Sequence, residues 1–181
     1  MPRPCASLLL ALLLTLADTA AQAAPSLVLL VRHAEKASEP GADPGLSAAG
    51  QARAQALASA LAEARVGAIL TSPLRRTRDT AAPTAAATGL KPQAIGFEGG
   101  TAAHVAAVAA AARAQDASTV LVVGHSNTVP AILAALGGPA LLDFCESSYG
   151  PLLVLTLDEN PPRLLRAHYG AADPAPAPGC L

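Results

Sequence analysis

Two stretches of this chain, Leu27-Val28-Leu29-Leu30-Val31 and Val120-Leu121-Val122-Val123, are apolar at every position, and each stops at a histidine segment, Arg32-His33 and Gly124-His125. A strand with no polar alternation must be covered on both faces, so helices are needed on either side of a parallel sheet. A third run, Ala68-Ile69-Leu70, ends in Thr71-Ser72-Pro73-Leu74-Arg75-Arg76-Thr77. In open α/β sheets ligands bind in the crevice outside the carboxyl ends of the strands. Two histidines and at least two arginines therefore fall on one sheet edge. That set suits one task, which is gripping a phosphoryl group and attacking it.

The rest of the chain fits such a sheet. The first strand covers 26–32, and 36–45 is a loop with Pro40, Gly41, Pro44 and Gly45. Ser47 is placed to cap a helix reaching about Arg65, with Ala54, Leu57, Ala58 and Leu61 on one face and Gly67 as its left-handed end. After the strand 68–71, Ser72-Pro73 reads as a cap and first turn of a helix that Pro83 should break or kink, and Gly89 ends it. A third strand is expected over 93–97, a turn at Glu98-Gly99-Gly100, an Ala-rich helix over 101–115, a fourth strand over 118–123 and a helix over 129–136. The runs 152–157 and 163–168 are joined by Asp158-Glu159-Asn160-Pro161-Pro162, too short for a parallel crossover, so they pair antiparallel. The expectation is a three-layer α/β/α sandwich, mostly parallel with an antiparallel edge strand.

The 181 residues suit one domain, placed at 25–170 and followed by a Pro/Ala-rich tail, 171–181, expected to be extended or mobile. With aromatics at 2% and no Trp, the core must be aliphatic and Ala-rich. A net charge of −1 offers no basic excess for nucleic acid. Residues 1–23 read as a signal peptide: Arg3, an apolar stretch over 8–16, and Ala21-Gln22-Ala23 as the cleavage site. That stretch is short of the ~20 residues a span needs, so no membrane span remains after cleavage. Cys5 precedes it and does not suit lipid attachment. A periplasmic or secreted location is expected, and in that oxidising compartment the two remaining cysteines, Cys145 and Cys180, invite one disulfide. No H-E-x-x-H, C-x-x-C or zinc-spaced Cys/His cluster occurs, so neither metal nor other cofactor is expected.

His33 is the candidate nucleophile, because imidazole can carry a covalent phosphoryl intermediate when it attacks as the neutral ring. Arg32 and Arg76 offer planar, bidentate donors to phosphate oxygens, and His125, if protonated, adds another. His104 on a helix and His168 in the last strand read as structural or surface residues.

Arg32-His33-Ala34-Glu35 resembles the Arg-His-Gly-Glu motif of the histidine phosphatase (phosphoglycerate mutase-like) superfamily. Ser72-Pro73-Leu74-Arg75-Arg76-Thr77-Arg78-Asp79-Thr80-Ala81 is similar to its Ser-x-Leu-x-Arg-Ala-x-Gln-Thr-Ala motif, and Gly124-His125-Ser126 to the segment carrying its second His. The resemblance implies His33 as phosphohistidine nucleophile, with Arg32, Arg76 and His125 as the phosphate pocket. Ala34 stands for the motif's Gly, Asp79 for its Gln, and Glu39 where mutase-like members have Asn. The acid that follows the second His in the phytase-like branch is Ser126 here. Glu98 occupies the place of the mutase-like Glu after the third strand and is the candidate leaving-group acid; Glu146 and Asp79 are weaker candidates. Arg75 reads as a surface charge, Lys36 as reaching phosphate or facing water, and Ser126 and Asn127 as lining the pocket or capping a helix. The expected activity is an exported, metal-independent phosphomonoesterase acting on a phosphorylated small molecule, glycolipid or protein. The rivals are a non-catalytic phosphate-binding module and a phosphohistidine-protein phosphatase.

Overall fold

The computed structural model describes residues 25–38 and 40–181; the expected signal peptide, Cys5 and Glu39 lie outside these. The elements in order are β1 (Leu27–Arg32), α1 (Ala48–Ala60), β2 (Val66–Thr71), α2 (Arg75–Thr88), β3 (Gln93–Ala94), α3 (Gly100–Arg113), β4 (Thr119–Gly124), α4 (Thr128–Ala135), β5 (Pro151–Thr156) and β6 (Arg163–His168). They build one six-stranded sheet in the order β3-β2-β4-β1-β5-β6. β3, β2, β4 and β1 are parallel, β5 is antiparallel to β1, and the β5–β6 hairpin closes that side.

The unbroken apolar strands split their side chains between two cores, as period-2 geometry requires. Val28, Leu30, Val120, Val122, Leu153 and Leu155 meet Val108, Ala109 and Ala112 of α3 and Val129, Ile132 and Leu133 of α4. Leu29, Val31, Ile69, Leu121 and Val123 meet Leu57 of α1 and Ala81 and Ala85 of α2. The result is three layers, with aliphatic side chains filling both interfaces.

Several local expectations need correction. α1 stops at Ala60, and the left-handed residue after it is Arg65 (φ 51°), not Gly67. Gly67 sits inside β2, where the register shifts between Val66 and Ala68, and a Cβ there would lie 2.9 Å from the Ala117 Cβ. Close approach, not a helix end, is why this position is glycine. Ser72 does not cap α2. The helix starts at Arg75 and its first free N–H donates to the Asp43 carboxylate (2.9 and 3.2 Å), supplied by the 40–45 loop. α2 continues through Pro83 to Gly89 (φ 72°) without breaking, its buried face of Thr77, Thr80, Ala81, Thr84 and Ala85 packed against α1 and the sheet. β3 shrinks to two exposed residues, because an edge strand with nothing covering it gains little by extending.

The tail is not loose. Leu181 N–H donates to Asp143 O (2.9 Å), Cys145 N–H donates to Leu181 O (2.7 Å), and Cys145 and Cys180 are joined with their Cα atoms 5.0 Å apart. Among the described residues no helix is long and apolar enough to cross a membrane.

Candidate active site

Strand pairing builds the site. Arg32 pairs with Gly124, and His33 N–H donates to Gly124 O (2.9 Å), so the residues just past β1 and β4 emerge side by side. The rings of His33 and His125 meet edge to face, with centroids 5.3 Å apart. β2 flanks β4 on its other side and delivers Ser72 and Arg76. A cleft of about 290 Å³ opens there, lined among others by Arg32, His33, Arg76 and His125.

The protons on both rings follow from their partners. His33 Nδ1 lies 2.8 Å from Ala34 O; a carbonyl only accepts, so Nδ1 carries the hydrogen and Nε2 keeps its lone pair. Burial pushes the His33 pKa down to about 4; the Ala34 bond opposes this, and Arg32, Arg76 and Lys36 push the same way as burial. His33 is therefore a neutral imidazole at pH 7, with its Nε2 lone pair free. His125 Nε2 lies 3.0 Å from Ser72 Oγ, which is 2.9 Å from Thr77 Oγ1; Thr77 in turn donates to Leu74 O (2.8 Å). This chain runs outward from His125 if Nε2 carries the hydrogen, leaving Nδ1 to accept from Arg76 Nη2 (3.5 Å). Burial lowers the His125 pKa to about 3, helped by His33 and Arg76.

The arginines are anchored but not used up. Arg32, 2% exposed, gives Nη1 to Cys145 O (2.7 Å) and Ser148 O (3.1 Å) and Nη2 to Glu146 Oε2 (2.9 Å). The Tyr149 ring covers its guanidinium at 4.3 Å. Arg76 lies 3.9 Å from Asp43. The Nε of each is buried and finds no hydrogen-bond partner among the described residues. Two guanidinium charges on one cleft favour an anion there. What the arrangement can do is hold a tetrahedral oxyanion beside an unprotonated Nε2.

The structure thus brings together His33, Arg32, Arg76 and His125. Lys36, Ser126 and Asn127 also line the cleft. It does not bring Glu98 there. Gly99 (φ 81°) and Gly100 (φ 87°) turn the chain directly into α3, and the exposed Glu98 carboxylate folds over Gly96, in space that a side chain at 96 would fill. Asp79 lies elsewhere, beside Gly45 in the α1–α2 groove. Of the three carboxylates considered, Glu146 alone lines the cleft, and it is paired with Arg32. Glu98→Gln is expected to change kcat/KM by no more than about twofold for both alkyl and aryl phosphates, as for other exposed substitutions. A selective loss of ~10²-fold or more on alkyl esters would restore Glu98 as the acid.

Sequence reasoning missed four contributors. Tyr149 and the Ser72–Thr77 hydroxyl pair are described above. Phe97 lines the cleft and stacks at 4.1 Å on His104, whose Nδ1 bonds Gly96 O (2.8 Å). Arg53, 5% exposed, binds Glu35 of the first motif (2.9 Å) and Asp173 of the tail (3.2 Å). A signal for Arg53 was present: it shares the buried α1 face with Gly50, Ala54 and Leu57, where a lone arginine needs a paired partner.

Fold and pocket together define a class, an α/β protein with an arginine- and histidine-lined cleft at the carboxyl edge of its sheet. The family model for the histidine phosphatase superfamily (branch 1) matches residues 28–95. A candidate phosphohistidine phosphatase SixA from Agrobacterium tumefaciens is 30% identical, with 82% of this chain and 99% of that one covered at a TM-score of 0.62. A candidate alpha-ribazole-5'-P phosphatase from Escherichia coli (18% identical, 80% and 96% covered, TM-score 0.63) shares the fold. So does a protein histidine phosphatase SixA complexed with tungstate (19%, 78% and 96%, TM-score 0.59). No curated protein matches the chain by sequence. The chain belongs to the histidine phosphatase superfamily and so to a phosphatase class.

Proposed function

We propose that this protein hydrolyses phosphate monoesters through a phosphohistidine on His33, without a metal, outside the cytoplasm. The observation that carries this reading is that two guanidinium groups, Arg32 and Arg76, line one cleft with His125 and a neutral His33 whose Nε2 is free. In the first step the His33 Nε2 lone pair attacks phosphorus, the Nε2–P bond forms, and the P–O bond breaks as the leaving oxygen takes a proton from water. Nδ1–H stays on Ala34 O throughout, fixing ring and tautomer. In the second step water attacks phosphorus and gives a proton to solvent, the Nε2–P bond breaks with its electron pair returning to Nε2, and orthophosphate leaves. Arg32 and Arg76 stabilise charge on the equatorial oxygens, usually the largest catalytic contribution. They also supply the positive charge that a metal would bring in other phosphatases. Among the described residues no group of three or more His, Cys, Asp and Glu could hold a metal ion.

The experiment is orthophosphate release from a panel of phosphomonoesters with and without chelator. Expected is hydrolysis that chelator does not touch; loss restored by a divalent ion would overturn the metal-free step.

A phosphohistidine-bearing protein is the second reading for the substrate, favoured by the absence of Glu98 from the cleft. Its leaving nitrogen belongs to a ring that titrates near neutrality and departs without a dedicated acid. The 30%-identical SixA-like structure points the same way, whereas the signal-like amino terminus favours an extracytoplasmic substrate. Faster turnover of a phosphohistidine peptide than of any ester in the panel would select it.

A further inference from the structure

We infer that the C-terminal segment 171–181 is a working part of the oxyanion pocket: through Asp173 and Cys180 it holds the 145–150 loop where that loop orients Arg32. The inference rests on the phosphatase reading only in taking Arg32 to grip the phosphoryl group. Arg32 is not positioned by its own strand. Its two terminal nitrogens donate to Cys145 O, Ser148 O and Glu146 Oε2, and Tyr149 covers its face. All four partners belong to one loop, and that loop contains neither helix nor strand before Pro151.

The loop is clamped at both ends by the tail. At one end Cys145 is bonded to Cys180, its N–H donates to Leu181 O (2.7 Å), and Leu181 N–H donates back to Asp143 O (2.9 Å). At the other end Asp173 Oδ2 accepts from Tyr149 N–H (2.9 Å) and Gly150 N–H (2.7 Å). Asp173 is itself held by Arg53, which also binds Tyr169 O (3.1 Å), Ala171 O (3.0 Å) and the Glu35 carboxylate two residues from His33. The groups that hold Arg32 sit between or at the two clamps. Releasing either clamp leaves the guanidinium charge in place but frees its direction, and a planar fork binds phosphate well only when aimed. Asp173 and Cys180 are therefore positioning residues. A dithiol reductant should act like the loss of Cys180, since it breaks the Sγ–Sγ bond, leaves two thiols and itself closes to a disulfide.

A purely structural tail would lower stability without acting through Arg32, and a double-mutant cycle separates the two cases. The measurement is the calorimetric Kd for orthophosphate, which needs no turnover, on the full chain, with the disulfide formed in every protein that keeps Cys180, at a temperature where each variant is folded. Cys180→Ser and Asp173→Asn are each expected to weaken binding between about tenfold and 10²-fold, the scale on which remote misplacement is felt. In an Arg32→Ala background the same changes should cost less than about twofold, because the residue they act through is gone. Unchanged affinity in both variants, or losses that persist undiminished without Arg32, would overturn the inference. Asp173→Asn keeps the disulfide, so the test stands even where Cys180→Ser does not fold. Failure of the phosphatase reading looks different: wild-type protein that binds orthophosphate but releases none from any ester. Wild-type protein that does not bind orthophosphate overturns both.

Discussion

His33→Ala is expected to cost at least ~10⁴-fold in kcat, the scale seen when a covalent nucleophile is removed, while orthophosphate still binds. The separation follows from the division of labour in the cleft. On the proposed reading Arg32 and Arg76 hold the oxyanion without help from His33, whereas His33 is the cleft histidine whose lone pair is fixed by a backbone carbonyl. Wild-type protein quenched in acid during turnover of labelled substrate should carry acid-labile phosphate, and the His33→Ala protein none. Turnover in the variant within tenfold of wild type would remove the covalent mechanism. Wild-type protein that binds orthophosphate and turns over nothing would instead select the binding-module reading.

The second large effect is on acid stability. Both site histidines have folded-state pKa values below the ordinary 6.5, about 4 for His33 and about 3 for His125, chiefly through burial. The unfolded chain takes up protons from pH 6.5 downward while the folded site stays neutral, so stability falls as pH drops from about 6.5 to about 4. One pKa unit corresponds to about 1.4 kcal/mol, which makes the contribution by pH 4 roughly 3 kcal/mol for each ring and on the order of 6 for the pair. For a domain of this size that is a fall in Tm of about 12–24 °C between pH 7 and pH 4. A bound oxyanion favours the imidazolium forms, so orthophosphate should recover much of the loss. Thermal unfolding across this range, beside a His33→Asn/His125→Asn variant, checks it. A variant whose Tm falls as steeply as wild type would locate the acid sensitivity elsewhere.

How much was legible depended on how far the partners lie apart in the chain. The apolar runs that become β1 and β4 carry their histidines directly, so strand position and site position were read together. Arg76 came with them, the second residue of the helix after β2. Glu98 was misplaced because its position relied on a third strand running to residue 97, whereas β3 ends at Ala94 and two left-handed glycines redirect the chain. Ser72 was assigned to a helix end; its hydroxyl instead meets His125, 53 residues away. Tyr149 and Asp173 gave no local signal, since neither has a spacing or pattern that marks it.

The sequence by itself determined the layers of the fold and the edge where its chemistry gathers. Unalternating apolar strands must be covered on both faces, and polar residues at their ends have one place to go. Only the tertiary structure decided how that chemistry is aimed: which ring nitrogen is free, which carboxylate reaches the cleft, and what steadies Arg32. These depend on contacts spanning up to 120 residues, as between Arg53 and Asp173. Local periodicity carries no information about such pairs, because their geometry exists only once the sheet, the 145–150 loop and the tail have packed together.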